Sequence, residues 1–212
     1  MHLSHILYKV KNMEEAVKDF ENMGFTVIRG GHNYNIWFED GTFIELFSIK
    51  KKPFLIFLFR IIGMKGMANK MKYFQDADVG FIEYSLENKV DDLDKENEQL
   101  KRLGYKFTSF SMRKKNQEGE KLKWKITFPY DLHLPFMVAS KSYRILMMPD
   151  KISHKNGAKK LKKLVWGVHK DYIEDIQSLY QDNRLELVEG SGFKSIEIEG
   201  LEDDIFHKEY YK

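Results

Sequence analysis

No cysteine occurs in the 212 residues. Disulfides, thiolate metal ligands and a cysteine nucleophile are excluded, and a reducing cytoplasm is the expected location. Charge of one sign is lacking too: 35 Lys+Arg stand against 32 Asp+Glu, a net charge of +3. The densest basic run, Lys159-Lys160-Leu161-Lys162-Lys163, is interleaved with strand-like residues and reads as the solvated start of a strand, so no nucleic-acid partner is expected. The opening MHLSHILYKVKNMEE has no basic segment followed by an apolar one, and no secretory signal is expected. No Gly-x-Ser-x-Gly elbow, phosphate-binding glycine loop, dinucleotide fingerprint or His-x-x-x-His pair is present, which sets aside phosphoryl transfer and nicotinamide chemistry.

Long apolar runs are also missing. The longest, Pro53 to Ile62, follows Lys50-Lys51-Lys52, is interrupted by Arg60, and falls far short of the ~20 residues a membrane span needs. No membrane span is expected. Pro53 suits the first turn of a helix, and the run reads as a buried linker or a lid over an apolar cavity. A place in a membrane interface beside its lysines is the alternative.

What is present is a repeated pattern. An alternating strand holding His5 leads into a helix whose Met13, Ala16, Val17, Phe20 and Met23 form one apolar stripe. Asn12 with Glu15 three residues on suits its start, and Gly24 its end. Two strands follow, then an Asp40-Gly41 turn and a last strand with Glu45, completing a βαβββ unit. The unit returns at Val79–Leu86, with a helix bearing Val90, Leu93, Asn97, Leu100 and Leu103 and ending at Gly104. The offset between copies rises from 76 at Val10/Leu86 to 80 at Gly24/Gly104, which predicts a second helix one turn longer. A third, shorter copy starts at Leu161 and has no clear fourth strand. The expected organisation is module 1 at 1–50, an apolar linker or lid at 51–77, module 2 at 78–142, a linker at 143–160, and a partial third module with a C-terminal tail at 161–212.

Paired βαβββ units with His in the first strand and Asp40-Gly41-Thr42-Phe43-Ile44-Glu45-Leu46 in the last resemble the vicinal oxygen chelate superfamily, which includes glyoxalase, extradiol dioxygenases and antibiotic-resistance proteins. Gly30-Gly31-His32, Asn35, Leu134-Pro135-Phe136 and His154-Lys155-Asn156-Gly157-Ala158 make the chain similar, within it, to the glyoxalase-like domain group. The resemblance implies an α+β fold of βαβββ modules forming a curved mixed sheet around a cleft, a small-molecule ligand and, as an expectation, a homodimer. In metal-binding members, each of two modules gives a ligand from its first strand and one from its last.

His5 and Glu45 match the first pair. At offset 76 the second pair falls on Phe81 and near Pro135 and Phe136, which are not ligands. A shifted set of His5, Glu45, Glu83 and His133 is the alternative, because Glu83 lies two residues from Phe81 and would share its face. The expectation is therefore no cofactor, with a divalent metal (zinc, manganese, iron or nickel) as the alternative. His5, Glu45, His32, Asn35, Trp37, Phe81, Glu83, Trp124 and Phe136 are the candidate pocket residues. Arg144 is read either as a partner for an anionic substrate or as half of a surface salt bridge. Two functions follow: a binding protein for a small, partly apolar ligand without an intact four-ligand metal centre, or a metal-dependent lyase, isomerase or dioxygenase using His5 and Glu45. Whether the chain is an enzyme is left open.

Overall fold

The computed structural model describes residues 1–30, 33–115, 119, 121–201 and 206. The first unit comprises β1 (His2–Lys9), α1 (Met13–Asn22), β2 (Ile28–Gly30), β3 (Asn33–Trp37) and β4 (Phe43–Phe47). The Asn12 side chain caps α1 by accepting the Glu14 amide at 3.1 Å, and the helix buries Phe20. Gly24 ends it at φ +84°, where an added Cβ would meet Asn156 at 2.9 Å. At the hairpin, Gly41 takes φ +80° and its amide donates to Phe38 O at 2.8 Å, a three-residue turn with glycine in the left-handed position.

Two helices follow, α2 (Pro53–Ile61) and α3 (Lys65–Asp76). The second unit is β5 (Gly80–Asn88), α4 (Asp94–Arg102), β6 (Phe107–Lys115), β7 (Lys121–Pro129) and β8 (Phe136–Ala139), trailed by α5 (Lys141–Met147). α4 has 9 residues and α1 has 10, so the rising offset is not an extra helical turn. Val90 is exposed and precedes the helix. The apolar pattern of the sequence aligns β5 with β1 at an offset of 76, four residues out of step with the offset of 80 that the pairing of His5 with Ser85 shows. In the pairing itself, Ser85 and not Phe81 stands across from His5.

Eight strands form one mixed sheet in the order β2-β3-β4-β1-β5-β8-β7-β6. β1 and β5 join the units as an antiparallel pair, flanked by the parallel pairs β1/β4 and β5/β8. Leu3, Ile6, Ile44, Leu46, Tyr84 and Leu86 point to one face, the main core, which α1 and α4 cover. Burying such a side chain is worth about 1.5–3 kcal/mol. His5, Leu7, Glu45 and Phe47 point to the other face, which curves around the cleft.

The joint carries two irregularities, at Ser4 in β1 and at Ile82 in β5. Each inserts a residue and breaks the two-residue alternation. At Ile82 the consequence is direct: Phe81 pairs with Tyr8 on the core side, whereas Glu83 pairs with Leu7 on the cleft side. Phe81 and Glu83 therefore lie on opposite faces, contrary to the simple alternation rule.

The third unit contains β9 (Leu161–Val168), α6 (Ile173–Leu179), β10 (Leu185–Glu189) and β11 (Gly192–Ile198). Its strands run β10-β9-β11, so the strand after the helix pairs directly with the first. In the two larger units the first strand pairs instead with the fourth. This small sheet closes the core behind β5, with Trp166 on Tyr84 at 5.3 Å and Phe193 on Phe81 at 4.4 Å between ring centroids.

Candidate functional site

The cleft holds a cavity of about 480 Å³. Its walls are mostly apolar, with Leu7, Phe47, Trp124, Phe128, Phe136 and Val138 from the strands. Phe74 of α3 and Leu146 and Met147 of α5 complete them. His5, Asn33, Glu45 and Arg113 supply the polar groups. Size and lining suit a small organic molecule.

His5 is buried and fixed on all sides. Its ring stacks on Phe43, with centroids 4.5 Å apart and planes 10° apart, and meets Phe136 edge-on at 5.5 Å. Nε2 lies 3.3 Å from Glu45 Oε2. Nδ1 lies 2.8 Å from Ser85 Oγ and 3.0 Å from Ser4 Oγ. The Ser4 hydroxyl donates its proton to Glu87 Oε2 at 3.1 Å, so toward His5 it can only accept. A neutral ring protonated on Nε2 donates to Glu45 and accepts from Ser85. An imidazolium donates to Glu45 and to Ser4. Both protonation states are satisfied.

The chain of polar contacts continues away from the cavity. Arg144 grips Glu87 through Nε, 3.2 Å from Oε2, and through Nη2 to Oε1, while Nη1 donates to Gly41 O at 2.7 Å. Arg144 is thus neither a surface ion pair nor a cavity residue. It ties the second unit to the turn of the first and holds the Glu87 carboxylate that orients Ser4. Glu45 is held from its other side by the Asn33 amide on Oε1. Burial alone would push its carboxyl up, but the His5 hydrogen bond and charge together with Asn33 hold it below the usual carboxylate range.

The structure brings His5, Glu45, Trp124 and Phe136 together at the cavity. Asn35 pairs with Glu45 across the β3–β4 ladder but is buried behind the cavity wall, and its Oδ1 has no hydrogen-bond partner among the described residues. Trp37 packs behind Phe43 at 4.2 Å. Phe81 faces the opposite core. His32 lies outside the described residues. The run Pro53–Ile62 does not line the cavity; the following helix, α3, does so through Phe74. Sequence reasoning missed Asn33, Ser4, Ser85 and Glu87. Asn33 shared the two-residue alternation with Asn35 and could have been found, but the roles of Ser4 and Ser85 depend on the irregular β1–β5 joint.

The donor set does not fit the four-ligand metal centre the resemblance implies. His5 and Glu45 are paired to each other. The ladder sets Phe43 beside His5 and Phe136 beside Ser85, so the second unit offers Ser85 and, two residues along its last strand, Val138. Glu83 is tied to the buried Lys70, which also donates to Leu134 O at 3.0 Å. His133 is exposed, bonded to Asp131 at 2.9 Å and stacked on Tyr172. The shifted ligand set is not assembled, because its last two members have other partners. Among the described residues no group of three or more His, Asp or Glu is placed to hold a metal ion.

Among known proteins, a crystal structure of a hypothetical protein from Staphylococcus aureus has a TM-score of 0.64 and 14% identity, covering 92% of this chain and 89% of its own. That is a likeness of fold. A crystal structure of catechol 2,3-dioxygenase has a TM-score of 0.36 and 16% identity, covering 84% of this chain and 56% of its own, too weak to bear on fold or function. No curated protein matches. The glyoxalase-like domain profile matches residues 3–182, across both large units and into the third. With the paired βαβββ units and the His5–Glu45 placement, the chain belongs to the glyoxalase-like domain family of the vicinal oxygen chelate superfamily.

Proposed function

We propose that the protein binds a small, partly apolar molecule in the cleft, anchored by Glu45 and His5 and without a four-ligand metal centre. The observation that carries this reading is the cavity itself: about 480 Å³, walled by aromatic and aliphatic side chains, with the buried His5 paired to the half-buried Glu45 at its floor. An apolar wall gives affinity by burial, and a few placed polar groups give orientation. Glu45 keeps its charge, and a carboxylate only accepts hydrogen bonds. The complementary ligand therefore carries an N–H or O–H donor on an apolar body.

Tryptophan fluorescence tests this with 2-naphthol, an aromatic alcohol of that form. The probe is expected to quench the wild-type protein and to quench Trp124→Phe far less, because Trp124 lines the cavity while Trp37 and Trp166 lie outside it. Glu45→Ala is expected to weaken binding about tenfold, the loss of one hydrogen bond to a charged group. Chelator treatment is expected to leave binding unchanged. Stoichiometric metal in the purified protein, lost in His5→Ala, would overturn the proposal in favour of a metal-dependent reaction.

A further inference from the structure

α2 is apolar on both sides, and only one side is covered. Leu55, Ile56 and Phe59 turn inward. Phe54, Phe57, Leu58, Ile61 and the adjoining Ile62 recur at i, i+3, i+4, i+7 and i+8, which places them on one stripe. All five are exposed, Phe54 by 76% and Ile61 by 65%. Single exposed apolar side chains are ordinary, but a contiguous stripe marks a contact surface.

The charges around the stripe decide what it contacts. From Lys50 through Phe74 there is no Asp or Glu. Over the same stretch Lys50, Lys51, Lys52, Arg60 and Lys65 are all exposed. A second copy is a poor partner: a two-fold contact on α2 sets lysines against lysines if the helices run parallel, and against Arg60 and Lys65 if they run antiparallel. A partner with apolar depth and negative charge at its surface answers both features. We propose that α2 docks the protein on an anionic lipid surface, with the stripe in the headgroup–acyl boundary and the flanking cations among the lipid phosphates. At 9 residues the helix is about 14 Å long, so it lies in the plane of the interface rather than crossing ~30 Å of hydrocarbon.

Sedimentation of the full chain with vesicles tests the docking. The protein is expected to pellet with vesicles of equal phosphatidylglycerol and phosphatidylcholine, and to stay in solution with phosphatidylcholine alone. Phe57→Glu/Ile61→Glu is expected to abolish pelleting. Each alanine at Lys51 or Lys52 is expected to lower the partition about fivefold, the weight of one cation at a charged surface. These side chains are exposed, so an unchanged melting temperature verifies that the variants are folded. Protein that stays in solution with both vesicle types would overturn the proposal, as would equal pelleting with neutral vesicles or pelleting indifferent to the double glutamate variant. A dimer that Phe57→Glu converts to monomer, without vesicle binding, would overturn it in favour of a second copy.

Discussion

The His5 ring lies flat on Phe43 while its Nε2 reaches Glu45 Oε2 at 3.3 Å, so one side chain is set by an aromatic face and a carboxylate from the same strand. Phe43 and Glu45 are two residues apart on β4 and share its cleft face. The ring therefore has little freedom to swing, and Glu45 has a fixed proton donor.

Acid is expected to remove the stability that Glu45 contributes. The Glu45 carboxyl lies below its ordinary value, so its contribution to stability is complete above the unfolded value of about 4.3 and is lost as pH falls through the lower folded value. Urea unfolding of wild type and Glu45→Gln is expected to show a gap at pH 7 that narrows toward pH 3. A gap that does not change with pH would contradict the assignment.

Lys70→Met is expected to cost about 3–5 kcal/mol at neutral pH, because it leaves the Glu83 carboxylate buried without its cation. Burial, outweighing the pull of Lys70, already holds the Glu83 carboxyl above its ordinary value. A raised carboxyl favours the folded state while protonated, and that contribution fades as pH rises through the folded value. The deficit of the variant should therefore be smaller at pH 4.5 than at pH 8 in chemical denaturation. Equal deficits would rule the account out.

His154 gives a third test. Its Nδ1 accepts the Thr26 amide at 2.9 Å and its Nε2 donates to Trp37 O at 2.9 Å, which pins the linker before β9 to the first unit. Burial holds the ring below its ordinary value, although Trp37 O and Glu39 pull the other way. A lowered histidine contributes stability above the unfolded value of about 6.5 and loses it as pH falls through the folded one. Wild type is expected to lose more thermal stability between pH 7.5 and pH 5 than His154→Gln. Parallel losses would show that the ring does not titrate as described.

Gly66→Ala is expected to destabilise by about 1–3 kcal/mol, although alanine is the better helix former by about 1 kcal/mol. An added Cβ would lie 2.1 Å from Phe128 O, and the Gly66 amide already donates to Thr108 Oγ1 at 3.0 Å. A melting temperature equal to or above that of wild type would show that α3 can retreat from the sheet.

Most of the fold was legible because periodicity reports which face of an element is buried. The stripe of α1, the glycines at 24 and 104 and the turn at Gly41 located the units, and the placement of His5 and Glu45 followed. The face of Phe81 was not legible, because Ile82, Tyr84 and Leu86 alternate in the sequence as if no residue were inserted at Ile82. Nor was the match of Glu83 with Lys70, a residue in a helix that carries no unit pattern. The third unit shows the same limit: its apolar runs reveal strands and a helix, while the order β10-β9-β11 depends on packing behind β5.

Both sides of the cleft come from a single polypeptide, which permits asymmetry. If two copies of the first unit met about a two-fold axis, every residue at the cleft would appear twice, and His5 with Glu45 would become two histidines and two glutamates around one centre. Covalent fusion removes that constraint. The second side is free to carry Ser85 and Val138, and each half can be shaped to a different end of an unsymmetrical guest.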